Sequence, residues 1–433
     1  MARSMAACLV LSLAGLAAPL GAQARPAALD SVTDSLSALA DRVARAEEQL
    51  RMLRQQLAQV AREKAGTSSR AGLEFSGRVM MNAFLTNGRT NLVDVPTIAL
   101  PAYSAIGTDP QALRGALGGT FRQSVLTVAL DGRPLWGGTV RARADADFFG
   151  GVQEGAGGRR LFPEPRLRVA TASMAWTHAR VTVGQDVPLV TDVTPWSTAA
   201  FGLPLFASAG NLWFWLPQVR IGAATTGALR LAVDAAAVAP WTGGDPVAGD
   251  TVDRVDAAER SRRPFLQGRV GVEWGEDAMA GRQAVGAHHG WIARPTGVTA
   301  TTSAVTVMLL APLTEWLEVR GVAYRGQARR GLGGGGVSQN FAPDGTPLRD
   351  VGGWAQLLWR PALGWQVGAG CGVSDPDNAQ SPVRRHNRQC EAGLQWRPGG
   401  LPVLGLAYRR VATDYAAGLR TVQHLNFVTG VEF

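Results

Sequence analysis

Lysine, histidine, cysteine and long apolar runs are all scarce in this chain, and each shortage removes a class of function. No window beyond Leu20 approaches the roughly 18 consecutive apolar residues that a membrane-spanning helix requires. Such a chain can cross a membrane only as a closed barrel of strands, because lipid offers no water to unpaired backbone groups. There are five histidines, and their one cluster, His288-His289-Gly290, has no serine or acidic partner at a recognisable spacing. Adjacent residues of a strand also point to opposite faces, so the cluster does not read as a catalytic centre and no enzyme activity is expected. No group of His, Cys, Asp or Glu has metal-ligand spacing, so neither a metal nor another cofactor is expected. Of the 43 Lys and Arg residues only Lys64 is lysine, so arginine carries the formal net charge of +9.

What is present begins with a leader. Arg3, an apolar run from Ala6 to Leu20, and small residues at Ala22 and Ala24 make the three regions of a secretory signal peptide over 1–24. Cys8 lies in that run and would leave with it, so only Cys371 and Cys390 remain afterwards. From Val32 the apolar residues recur at alternating spacings of four and three. Leu36, Val43, Leu50 and Leu57 occupy heptad position a, and Val32, Leu39, Ala46, Leu53 and Val60 occupy d. No further apolar face exists to dock this helix on a core. It reads as a self-associating coiled coil over 25–66, about 29 residues of seam and roughly 43 Å long. Gly66 to Ser69 break it.

The rest, 67–433, has no helical period. Segments of alternating polarity are separated by turn residues, the texture of a transmembrane barrel. The fold class expected is an all-β transmembrane barrel of about 16 antiparallel strands behind an N-terminal α-helical coiled coil. The first strand is Leu73–Thr86 and the last Val422–Phe433. Others of note are Phe121–Leu130, Trp136–Phe149, Leu229–Val238 and Phe265–Trp274. Tight turns such as Asp131-Gly132-Arg133-Pro134 alternate with long connections, the longest including 87–120 and 186–217. The last strand carries Leu425, Phe427, Thr429, Val431 and Phe433 on one face, with His424, Asn426, Gly430 and Glu432 on the other. An open edge of that kind invites aggregation, so it requires the first strand as partner. It resembles the terminal strands of bacterial outer-membrane barrels, which implies the outer membrane as location, the coil in the periplasm, and the barrel-assembly machinery as a partner.

Parity assigns the faces. Val140, Ala142, Ala144 and Ala146 alternate with Arg141, Arg143, Asp145 and Asp147, and the charged set must face water, because a cation turned to lipid at mid-bilayer costs about 2–4 kcal/mol. Trp136, Trp176, Trp274, Trp316, Trp359, Trp365 and Trp396 fall at strand ends and read as an interfacial belt. Cys371 and Cys390 stand on consecutive strands, on matching faces and about equally far from the intervening loop, so a cross-strand disulfide is plausible in an oxidising compartment. For an exported chain the basic balance points to anionic solutes and to outer-membrane lipid and lipopolysaccharide, with no nucleic acid.

The segment Val183-Gly184-Gln185, Asp192, Pro195-Trp196 and Pro217-Gln218-Val219-Arg220, with Arg166-Leu167-Arg168 upstream, resembles the DcaP-like trimeric outer-membrane porins. The resemblance implies a 16-stranded homotrimer with an N-terminal coil and a preference for small anions. The chain departs from it where an arginine is usual before Pro-Gln, having Asn211-Leu212-Trp213-Phe214-Trp215-Leu216 instead. The loop 186–217, with Trp196, Phe201, Phe206, Trp213, Phe214 and Trp215, is too aromatic to stay in water and is expected to fold inward as a constriction. Arg141, Arg143, Arg168, Arg180, Arg220, Arg269, Arg320 and Arg385, with Asp145, are the expected pore-lining residues, since rings of arginine favour anions. The expected function is passive diffusion of small polar solutes, mildly favouring anions such as carboxylates. The alternatives are a structural envelope tether with a plugged barrel and a barrel hydrolase.

Overall fold

The computed structural model describes residues 72–101, 115–150, 158–244, 255–294 and 298–433. The leader and the heptad helix lie outside the described residues. Strand β1 is Gly72–Asn87, and β2 is split into Ala116–Thr120 and Val125–Asp131. There follow β3 (Thr139–Gly150), β4 (Glu164–Ala175), β5 (Ala179–Asp186) and β6 (Leu216–Ala224). Next come β7 (Leu229–Val238), β8 (Phe265–Trp274), β9 (Gly281–Ala293), β10 (Thr299–Thr314) and β11 (Leu317–Gln327). The last are β12 (Arg349–Trp359), β13 (Trp365–Pro376), β14 (Arg384–Trp396), β15 (Pro402–Tyr415) and β16 (Gly418–Glu432).

Each strand pairs antiparallel with the next, and β16 returns to β1 from Arg78↔Glu432 to Asn87↔Gln423. The backbone of Phe433 exchanges two hydrogen bonds with Gly77, 2.8 and 2.9 Å, so the ladder runs through the terminal aromatic residue. The result is a closed antiparallel barrel of sixteen strands with no free edge. Its outer face is apolar and exposed, for example Leu85, Leu231, Val270 and Leu406, while Asn82, Thr86, Asp234 and Gln389 are buried inside. That inversion of the soluble pattern is what lipid outside and water inside select.

The unbroken strand expected at Phe121–Leu130 is corrected. Strand β1 pairs with both halves of β2, Asn82↔Thr120 and Arg78↔Val125, and residues 121–124 are looped out between them. The interruption turns Arg122, Gln123 and Ser124 into the interior, a local re-aiming of the kind bulges provide. Trp136, expected to begin a strand, sits in the turn before β3 with a left-handed backbone. The tryptophans at strand ends gather at the short-turn rim, where Trp365 and Trp396 stack at 5.6 Å. On the opposite rim the connections 88–115, 187–215, 239–264 and 328–348 are long, while that between β15 and β16 is only 416–417. Cys371 and Cys390 pair across β13 and β14 on the outer face, with Sγ atoms 2.07 Å apart.

Candidate channel constriction

The connection between β5 and β6 does not leave the barrel. It runs along the inner wall as a belt, and nearly every strand holds it in turn. Arg220 on β6 donates to the Val187 carbonyl, and Thr306 on β10 donates to that of Val190 at 2.7 Å. Asp192 receives Arg269 from β8 at 2.5 Å and Arg282 from β9 at 3.0 Å. Arg320 on β11 donates to the Thr194 carbonyl at 3.0 Å. The Gln356 amide on β12 closes a two-bond ring with the Trp196 backbone, 2.7 and 2.8 Å. Ser197 donates to Glu391 on β14 at 2.6 Å, and Ala199 packs on Met80, Val403 and Val428. Finally Gln123, from the break in β2, accepts the Phe201 amide at 2.9 Å, and Arg168 on β4 donates to the Phe201 carbonyl at 2.6 Å. An irregular backbone inside a barrel must find partners for its polar groups, and the inward side chains of the wall supply them.

The belt then doubles back. Phe206 is buried and packs on Trp354 at 5.8 Å, and the Phe214 amide donates to the Leu332 carbonyl of the 328–348 connection at 3.1 Å. Trp213 is buried too, edge-on to Phe214 and Trp215. Phe206 and Trp213 therefore anchor the loop, whereas Trp196, Phe201, Phe214 and Trp215 are only partly buried. Arg78 lies over the Phe201 ring at 4.2 Å, and Arg166 and Arg168 lie against Trp215 at 5.3 Å. Toward the short-turn rim these groups open on a cavity of about 410 Å³ lined by Arg78, Arg143, Asp145, Arg168, Phe201 and Glu432.

The expected pore-lining residues divide into two sets. Arg141, Arg143 and Arg180 keep 70%, 58% and 57% of their side-chain surface open, pairing with Asp131 at 2.9 Å, Asp145 at 2.8 Å and Asp234 at 3.7 Å. Arg168, Arg220, Arg269 and Arg320 keep only 7–17%, and are committed to belt or neighbouring groups. Arg385 falls in an irregularity at the start of β14, outside its ladder register, with a buried Nε that has no partner; its neighbour Arg384 donates to the Val337 and Ser338 carbonyls. Asp145 is buried beneath Arg143 and Arg168.

Several contributors were not singled out in the sequence. The first connection also enters the barrel: Asp94 pairs with Arg122 inside, and Arg409, paired with Glu391 at 2.6 Å, donates to the Pro96 carbonyl. Arg329 and Asp350 form a fully buried pair that fixes the 328–348 connection. The signal that could have revealed the belt is glycine within strands. A Cβ at Gly368 or Gly393 would lie 2.4 or 3.4 Å from the Trp196 ring, so these inward glycines form the seat for that ring.

A closed sixteen-stranded barrel narrowed by an internal loop can be set beside solved structures. The outer-membrane channel DcaP of Acinetobacter baumannii matches with a TM-score of 0.64 at 14% identity, over 85% of this chain and 99% of that one. The fold is that of an outer-membrane porin. An anion-selective porin from Comamonas acidovorans matches with a TM-score of 0.54 at 11% identity, over 84% of this chain and all of that one. OmpF of Salmonella typhi, in complex with daunomycin, matches with a TM-score of 0.51 at 8% identity, over 84% of this chain and 98% of that one. No family model and no curated protein matches the sequence. The described chain thus shares the porin fold, with the belt along its inner wall.

Proposed function

We propose that the protein is a diffusion porin of the outer membrane, passing small polar solutes with a mild preference for anions such as carboxylates. The observation that carries this reading is the belt-narrowed interior with Arg141, Arg143 and Arg180 half-open between it and the short-turn rim. Guanidinium groups in a narrow aqueous passage raise the local concentration of anions, and the acidic partners of these three keep the preference mild. The neighbour from Comamonas acidovorans, named as anion-selective, supports the same sign. A homotrimer with its coil in the periplasm, embedded among outer-membrane lipid and inserted through its C-terminal strand, completes the proposal.

The test is the reversal potential of the purified protein in a planar bilayer under a salt gradient. Stepwise conductance, often in threes, with an anion-side potential is the expected result. Arg141→Ala with Arg143→Ala should move that potential toward cations, and an unchanged value would remove both residues from the selective machinery. A specific observation favours one rival: the 88–101 and 328–348 segments also contribute buried residues to the interior. A complete lack of conductance would therefore favour a plugged barrel acting as an envelope tether.

A further inference from the structure

Between the belt and the short-turn rim, the inner wall of β1, β2 and β3 forms a groove with charge on both sides and none on its floor. The floor is the second half of β2, whose inward residues are set by the ladder between inward residues of β1 and β3. In the row nearest the rim Ala129 lies between Glu74 and Arg143, and in the row nearest the belt Val125 lies between Arg78 and Asp147. The signs are therefore opposed twice. Along β1 the acid is at the rim and the base at the belt, and along β3 the order is reversed.

The two rows differ in what their charges do. At the belt end both are committed within the protein, Arg78 to Glu432 at 2.8 Å and Asp147 to Arg166 at 2.7 Å. At the rim end they are not. Glu74 is exposed and makes no ion pair among the described residues. Arg143 gives Nε and Nη2 to Asp145 at 2.9 and 2.8 Å, which leaves Nη1 without a hydrogen bond among the described residues and 58% of the side chain open. Neighbouring strands lie about 4.8 Å apart, so the Cα atoms of Glu74 and Arg143 stand about 10 Å from each other with one methyl group between them. Arg143 is turned along its own strand toward Asp145. A carboxylate and a guanidinium thus line the same cavity of about 410 Å³ without meeting.

We infer that this groove binds small zwitterions that carry both an ammonium and a carboxylate, the charge pattern of an α-amino acid, with the ammonium on Glu74 and the carboxylate on Arg143. A solute of one sign pairs with one of these groups and is repelled by the other. A zwitterion seated over Ala129 pairs with both, and charge-assisted hydrogen bonds are about twice as strong as neutral ones. Ser76 and Thr127 add hydroxyl groups one row farther in, and the Phe201 ring closes the belt end of the cavity. The inference deepens the porin reading and rests on it for the route by which a solute arrives, whereas occupancy of the groove can be measured without conductance.

The test is a ligand-observed NMR titration of the full chain in detergent with glycine, acetate and methylammonium, repeated on Glu74→Gln and Arg143→Gln. The wild type should bind glycine at least about threefold more tightly than either singly charged probe, the scale of one solvent-exposed ion pair. Glu74→Gln should erase that advantage and leave acetate bound no more weakly, while Arg143→Gln should weaken glycine and acetate alike. A general disturbance of the barrel would not separate the probes in this way, and Glu74→Gln strands no partner, so its heat-modifiable migration should match the wild type. Glycine bound no better than acetate by the wild type would overturn the inference, as would a glycine preference unmoved by Glu74→Gln. Glycine preference in a protein that does not conduct would uphold the groove and sink the porin reading; stepwise conductance without that preference would do the reverse.

Discussion

The inward arginines near the short-turn rim and those at the level of the belt have the same residue type and the same strand parity, yet different occupations. At the rim Arg141 and its partner Asp131 are both about 70% open, so water screens each of them. At the belt Arg269 is 7% open and bridges Asp192 of the loop to Asp234 of the wall at 2.5 and 2.6 Å. In the proposed porin the first kind is open to a passing solute. The second is spent on holding the loop. Under the proposed function, water access rather than direction of projection separates the arginines open to a solute from those that hold the loop.

The sharpest way to break that comparison is Arg269→Ala. It removes the guanidinium shared by two carboxylates in a largely buried site, leaving Asp192 to Arg282 at 3.0 Å and Asp234 to Arg180 at 3.7 Å, and truncating one member of a buried charge network costs up to about 3–5 kcal/mol. A lowered temperature for loss of heat-modifiable migration, with noisier open-channel current from a loosened belt, is the expected outcome; stability equal to that of Arg141→Ala would erase the distinction. Gly368→Val comes next. Its side chain would enter the Trp196 seat, so overpacking of about 1–3 kcal/mol is expected, together with a smaller conductance as the belt is pushed off the wall into the lumen. Arg141→Ala with Arg143→Ala should leave stability within about 1 kcal/mol of wild type, so that a selectivity shift appears without a folding defect; chemical denaturation beside the bilayer measurement reads both.

The smallest effect is expected at Asp344, an exposed residue whose carboxylate receives the Thr346 amide and hydroxyl, both at 2.8 Å. These bonds hold its acidity constant below the usual aspartate value. A lowered value in the folded state means that the stabilisation is present above the unfolded value and is lost as pH falls through the folded one. Amide exchange at Thr346 should therefore quicken in strong acid, while Asp344→Asn should lessen that acid dependence. An acid dependence retained in full by Asp344→Asn would remove the carboxylate as its cause.

How far the sequence reaches can be judged element by element. Leu229–Val238 and Phe265–Trp274 are legible to the residue, because alternating polarity against lipid leaves no tolerance for a register slip. The closing partnership of the last strand with the first was legible for the same reason, since an apolar edge demands a mate. The break in β2 was not, because Phe121 to Ser124 do not depart from strand-like composition; the inward turn of Arg122 and Gln123 is explained only by Asp94 and the belt that they meet, and that of Ser124 by the Met80 backbone that it bonds. The division of the arginines was equally hidden, for it depends on which carbonyls the loop presents at each point along the wall.

Period-2 patterning, turn residues and the face of each charge are local properties, and by themselves they determined that this chain forms a membrane barrel of about sixteen strands with a polar interior. The route of the belt, its glycine seats and the assignment of each arginine to solute or to scaffold are relations between residues far apart in the chain, such as Gln123 with Phe201 or Trp196 with Gly368. Only closure of the barrel brings those residues within hydrogen-bonding and packing range. The tertiary structure alone could therefore decide them.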